Sequence, residues 1–308
     1  MTSFGESDVP DQSQKKFVIT GANSGIGYEA ALVLAKKGAS VTLACRSVEK
    51  AEAAVGLLRL AVPEAKLEVE PLDLSDLGSV RAFAERFRNA HERLDCLINN
   101  AGVMALPRTL TKDGFEMQIG TNHLGHFALT GLLMDRLAAA PHARIVTVSS
   151  QAHRMGSIDF DDMMGERRYD KWRAYGQSKL ANLLFTLGLA KRLREKHSHV
   201  IAVAAHPGYA ATDLQRRGPE ASKSKLMGAL MAASNAIFAQ PASKGALPTL
   251  RAATDPSAEN GDYYGPGGPF ESFGSPVKVR GNAKSQDAAV AERLWQVSED
   301  LTGVRYAF

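Results

Sequence analysis

Phe17-Val18-Ile19-Thr20-Gly21-Ala22-Asn23-Ser24-Gly25-Ile26-Gly27 sets three glycines, as G-x-x-x-G-x-G, between a short apolar run and an amphipathic stretch. The apolar run reads as a buried strand, and residues 25–37 as a helix closed by Gly38. A phosphate needs backbone N–H groups and a helix N-terminus at close range, where side chains would obstruct it. Glycines here also serve plain helix-to-strand packing, but strand before and helix after favour a dinucleotide turn. Gly21, Asn23, Ser24, Gly25 and Ile26 are assigned to it.

The alternation continues outward from this turn. Strands are expected at 40–44, 67–71, 96–98, 145–148 and 200–205, and helices at 48–62, 75–91 (capped by Ser75), 122–140, 173–196 and 286–301. Strands separated by helices of this length imply a parallel sheet with right-handed crossovers. The fold class is therefore α/β, a Rossmann-type doubly wound sheet in a single domain over 15–308, after a flexible polar segment 1–14. Two stretches break the rhythm: an insert at 151–172, and a lid at 209–240 that is Met- and Ala-rich around Leu226 to Phe238. Both are read as a cap over substrate, ahead of a tail at 270–308.

A dinucleotide binder that prefers NAD carries an acid about 20 residues past the glycines, for the ribose 2′-OH. Here that stretch is Leu43-Ala44-Cys45-Arg46-Ser47, without an acid. Arg46 can clamp a 2′-phosphate with a planar guanidinium, so NADP(H) is the expected cofactor.

Composition bounds the remaining choices. The chain has 308 residues, 44% hydrophobic and 23% charged, which excludes long disorder and fibrous classes. Lys plus Arg (37) exceeds Asp plus Glu (33) by only four, so no basic stripe points to nucleic acid. The two cysteines, Cys45 and Cys96, cannot build a disulfide framework and suit a reducing, cytoplasmic setting. Neither a signal peptide nor a membrane anchor is expected.

Tyr175 and Lys179 stand four apart on one helix and share a face. An ammonium beside a phenol stabilises its anion and lowers a pKa that is ordinarily near ~10. Such a pair can pass a proton to or from a carbonyl or alcohol oxygen. By itself Y-x-x-x-K is a common surface pair, so its company matters. Thr20 to Gly27, Asp73-Leu74, Asn99-Asn100-Ala101-Gly102, Asn122, Ser149-Ser150, Tyr175-x-x-x-Lys179 and His206-Pro207-Gly208 occur in one order along the chain. In these the sequence resembles the short-chain dehydrogenase/reductase family. Asn99-Asn-Ala-Gly-Val-Met104, Asn122-His-Leu-Gly-His-Phe127 and Tyr175-Gly-Gln-Ser-Lys-Leu-Ala-Asn182 bring it nearest to the retinol-dehydrogenase and WW-domain-oxidoreductase branch.

The resemblance implies that Tyr175 is the general acid/base and that Lys179 tunes it while holding the nicotinamide ribose. Ser150 bonds the reacting oxygen, with Ser149 its rival, and Asn122 completes a water-linked relay through Lys179. Asn99, Ala101 and Gly102 line the cofactor, Asp73 and Leu74 meet the adenine, and Pro207, Gly208 and Thr212 border the carboxamide and pyrophosphate. Asp73 also suits a helix start, so its role stays open. Ser150 and Tyr175 are 25 apart rather than about a dozen, a lengthening that the resembling branch shares and that adds the insert. His153 and Met155, close behind the serine, and Met104 are expected to touch substrate. His123-x-x-His126 lacks an acidic partner for a metal and is read as packing or surface.

The expected activity interconverts a carbonyl and a primary or secondary alcohol on a small apolar substrate. A non-catalytic NADP(H) sensor and a reductase of a conjugated C=C bond remain as alternatives, and a homo-oligomer is left open.

Overall fold

A computed structural model describes residues 3–209 and 240–308. Its frame is one eight-stranded sheet in the order β3-β2-β1-β4-β5-β6-β7-β8. The strands are β1 (Lys16–Thr20), β2 (Ser40–Cys45), β3 (Lys66–Pro71), β4 (Cys96–Asn99), β5 (Arg144–Val148), β6 (Ile201–Ala205), β7 (Tyr263–Pro266) and β8 (Pro276–Lys278). All pairings are parallel except β7 with β8, which is antiparallel. The order reverses direction between β1 and β4, and ligands of doubly wound sheets bind beyond the strand ends at that crevice.

Helices α1 (Gly25–Lys36), α2 (Val48–Ala61) and α3 (Leu77–Ala90) follow the first three strands. Asp76 rather than Ser75 caps α3, its carboxylate accepting from the Gly78 and Ser79 amides. Ser75 instead donates its N–H and hydroxyl to Asp73 Oδ1 at 2.9 and 2.6 Å.

The expected continuous helix at 122–140 is broken. A short α4 (Met117–Ile119) runs into a π-helical turn (Gly120–Leu124), then α5 (Gly125–Leu132) and α6 (Met134–Ala138). The turn is buried throughout, and its polar side chains bond outside the helix, which is what opens the regular ladder. Gly125 begins α5 where the Leu74 main chain passes, and an added Cβ there would collide with the Leu74 carbonyl. Gly125→Ala should therefore cost about 1–3 kcal/mol by overpacking. A denaturant midpoint unchanged by this substitution would show that Leu74 can move aside.

The long α7 (Lys171–Glu195) lies across the sheet with most of its residues buried, capped by the Asp170 carboxylate. Two further helices, α8 (Ala242–Thr254) and α9 (Ala288–Thr302), complete the two layers. α8, β7 and β8 fall outside the strands and helices read from sequence. Trp295 of α9 and Tyr306 join Phe127 and Phe185 in an aromatic cluster, with Tyr306 donating to the Phe127 carbonyl at 2.7 Å.

Part of the insert packs into the core. Ile158, Phe160, Met163 and Met164 pack with Ile119, Leu180 and Leu184 and so extend the core. Its Tyr169 hydroxyl lies 2.8 Å from the Leu106 carbonyl and 3.1 Å from Glu116 Oε1. Thr212 and all of the lid at 209–240 but its ends, Tyr209 and Gln240, lie outside the described residues. Among the described residues no helix is long and apolar enough to cross a membrane.

Candidate active site

A cavity of about 580 Å³ opens at the switch point. One wall is the glycine turn, from Gly21 and Asn23 through Ser24, Gly25, Ile26 and Gly27. These residues leave β1 and start α1, whose N-cap Ser24 makes no side-chain bond to the first helical turn. Its amides are thus uncapped by the helix's own N-cap, as an anion-binding turn requires. Arg46, directly after β2, stands exposed on the rim, and its guanidinium has no hydrogen bond or ion pair among the described residues. Leu72, Asp73 and Leu74 continue this wall. Asp73 Oδ1 is engaged by Ser75, so its carboxylate shapes the turn into α3 as well as lining the cavity.

Across the cavity, Ala101, Gly102, Val103 and Met104 follow β4. Asn99 does not reach the cavity; it is fully buried and donates to Thr130 Oγ1 at 3.0 Å. It ends β4 on the helix-facing side, and its neighbour Asn100, which sequence reasoning passed over, takes the lining position. Asn100 Nδ2 donates to the Thr20 carbonyl at 2.8 Å, tying β4 to the start of the glycine turn. Gly102 is held against the catalytic side: a Cβ there would stand 3.0 Å from Asn122 Oδ1 and 3.5 Å from Lys179 Nζ. The open cradle and the uncapped amides fit a bound dinucleotide.

The third wall carries the polar groups expected for chemistry. Ser149, Ser150, Tyr175 and Lys179 all border the cavity. The two serines differ in their bonds. Ser149 Oγ donates to the Lys179 carbonyl at 2.8 Å, locking β5 to α7. Ser150 Oγ accepts from the Ala152 amide at 3.2 Å and stands near enough to Tyr175 to pull its pKa down. Lys179 Nζ donates to the Val148 carbonyl at 3.1 Å and lies 5.9 Å from the Tyr175 ring centre.

The acid–base setting departs from the expected lowering of the phenol. Burial pushes Tyr175 up to about 12, against a smaller downward pull from Ser150. The same burial brings Lys179 down to about 8. Desolvation disfavours both charged forms and is the largest cause at each. The Tyr175 hydroxyl is therefore held protonated at neutral pH.

Asn122 sits behind this wall in the π-helical turn, fully buried. Its Nδ2 donates to the Val103 carbonyl and to Ser178 Oγ, both at 2.9 Å, while Oδ1 accepts from the Val103 amide at 2.8 Å. Ser178 in turn donates to the Tyr175 carbonyl at 2.8 Å.

Of the three expected substrate contacts, Met104 and Met155 border the cavity and His153 does not. Residues Gln151–Met155 form a 3-10 turn capped by Ser150, which folds the His153 ring beneath the serine. There Nδ1 donates to the Ser150 carbonyl at 2.6 Å, and the ring packs edge-on to Tyr263. Ala152 and Trp172 complete an apolar side with Met104, Met155 and Val103, while Pro207, Gly208, Tyr209 and Ser272 close the far end. Ser272 was not legible in the sequence, because it arrives from the loop between β7 and β8. Both histidines of the His123-x-x-His126 pair are buried, which removes the surface half of their reading.

The short chain dehydrogenase family matches residues 15–223. The chain is similar to mouse retinol dehydrogenase 12, 43% identical over 294 residues that cover 95% of this chain and 87% of that one. It is likewise similar to human retinol dehydrogenase 13, at 42% identity over 94% of this chain and 85% of the other. Among solved structures, an uncharacterized protein from Mycobacterium paratuberculosis matches over 100% of both chains, with a TM-score of 0.82 and 42% identity. A short chain dehydrogenase from Shigella flexneri complexed with NADP shares the fold, with a TM-score of 0.62 and 21% identity over 83% of this chain and 97% of that one.

Proposed function

The chain belongs to the short chain dehydrogenase family, and from that premise we propose that it interconverts a carbonyl and a primary or secondary alcohol on an apolar substrate, with NADP(H) as cofactor. The observation that carries this reading is that Ser150, Tyr175 and Lys179 line one cavity with the glycine turn and Arg46. When bound, the cofactor supplies or takes up the hydride. Gly21 to Gly27 and Gly102 would hold it, and Arg46 would meet its 2′-phosphate. Ser150 orients the carbonyl oxygen, and Tyr175, kept protonated by its burial, donates the proton to it. Lys179 keeps a positive charge beside that oxygen up to about pH 8.

The retinol dehydrogenases among its relatives are named for an apolar alcohol, and the wall of Met104, Val103, Ala152, Met155 and Trp172 suits such a chain. The test is NADPH oxidation against aldehydes and ketones of rising length. Catalytic efficiency should climb with each added CH₂, by up to ~0.8 kcal/mol, until the cavity is full. A flat or falling series removes the apolar-substrate reading. NADPH binding without turnover on any carbonyl or enone leaves a sensor, and a saturated carbonyl product from an enone leaves a C=C reductase.

A pH profile tests the charge arrangement. Carbonyl reduction should hold steady below about pH 8 and decline above it, as Lys179 loses its proton. A rate unchanged up to pH 10 would separate Lys179 from the chemistry.

A further inference from the structure

Building on that reading, we infer that His126 is a positioning residue of this site: a neutral imidazole, protonated on Nδ1, that ties the end of β1 to the main-chain carbonyl of Asn122. Its Nδ1 lies 3.0 Å from that carbonyl oxygen, and its Nε2 lies 2.9 Å from Thr20 Oγ1. A carbonyl only accepts, so Nδ1 carries the hydrogen. In a neutral ring Nε2 then accepts, and the Thr20 hydroxyl turns its one hydrogen to it at 2.9 Å rather than to the Ile98 carbonyl at 3.4 Å. The same Thr20 oxygen accepts the Asn100 and Ala101 amides, each at 2.9 Å. Every hydrogen-bonding position of this ring is thereby used.

Burial enforces the neutral state. His126 is 1% exposed, and desolvation with the nearby Lys179 charge holds its pKa down near 4. The other titratable ring beside it, His123, is also neutral and faces away, onto Ser298 of α9 at 2.8 Å.

The position of this ring gives it consequence. On one side it holds Thr20, which organises the Asn100–Ala101 wall of the cavity. On the other it holds Asn122, which reaches Ser178 and through it the Tyr175 carbonyl. One imidazole therefore registers the cofactor-binding wall against the helix that carries the proton donor, across a π-helical turn that would otherwise be free to revert to regular geometry. A ring that merely filled space would be replaced by phenylalanine without loss.

The test compares His126→Phe with His126→Asn and reads the ring directly. Long-range ¹⁵N NMR of the unaltered protein should show a neutral, Nδ1-protonated His126 from pH 5.5 to 8.5. His126→Phe should lower kcat by about tenfold or more, with KM for the carbonyl substrate within about threefold, the worth of one unmatched buried group. His126→Asn places its Nδ2 where Nδ1–H was, and should recover kcat to within about threefold. Equal kcat for His126→Phe and the unaltered protein, equal damage by both variants, or an Nε2-protonated or charged ring would overturn the assignment. Should neither variant fold, the NMR result decides. Should the unaltered protein turn over no carbonyl, the proposed function fails separately, and the ring's tautomer still settles the bonding.

Discussion

Replacing Tyr175 with phenylalanine should lower turnover by about 10²- to 10⁴-fold, the range of a general acid/base contribution, and leave NADPH affinity within a few-fold. The ring keeps its packing against Met104 and Ala105, so only the hydroxyl is lost. Burial holds that hydroxyl protonated. Tyr175 stands on α7 and the glycine turn between β1 and α1, so the substitution leaves the turn in place. Single-turnover rates with saturating NADPH, beside a fluorescence titration of the cofactor, separate the two quantities. Near-normal turnover would remove Tyr175 from the mechanism. Lys179→Met should impair both rate and cofactor affinity, since its ammonium borders the cavity beside Gly102.

Removing the Arg46 side chain should weaken NADPH binding by roughly 1.5–3 kcal/mol, the worth of a hydrogen bond to a charged group, and barely change NADH. Arg46→Asp should go further, because a carboxylate would repel the 2′-phosphate. The guanidinium is exposed and uncommitted among the described residues, so no internal ion pair has to be broken for it to act. Ser47 beside it is committed, accepting the Lys50 amide at 3.3 Å as the cap of α2. Titration of both dinucleotides decides this, and equal affinity of the unaltered protein for the two would sink the NADP assignment.

Most of the parallel strands from β1 to β6 were legible as short apolar runs between amphipathic stretches, and β3, Lys66–Pro71, as an alternation of apolar and charged residues. Tyr175 and Lys179 were legible for a local reason: residues four apart on a helix share a face. What was hidden depends on which way single side chains turn. Asn99 and Asn100 are adjacent amides, and only the exit from β4 sends one to Thr130 and the other to the cavity. His153 follows Ser150 closely, yet a tight turn folds it beneath the serine rather than over the substrate. The π-helical turn carries no periodic signature, since buried bonds from Asn122, His123 and His126 to distant segments create it. α8 holds an internal Pro248, and β7 and β8 are four and three residues long, too short to announce themselves.

The aromatic cluster around Phe127 has a bearing on how the chain matures during synthesis. The strands and helices that build the glycine turn and the Arg46 rim all lie within residues 16–99, and they can pair as soon as that length has emerged. The outer face of α5, just past the Asn122 turn, is covered by Trp295 and by Tyr306, which follows Phe127 by 179 residues. Until those residues arrive, Phe127 and Phe185 present an unfilled apolar face on the growing chain. Contacts so distant in sequence form slowly and late. The half that carries the glycine turn should thus acquire its shape first, while the half that carries Tyr175 waits for Trp295 and Tyr306, and the interval between the two is when a chaperone would find most to hold.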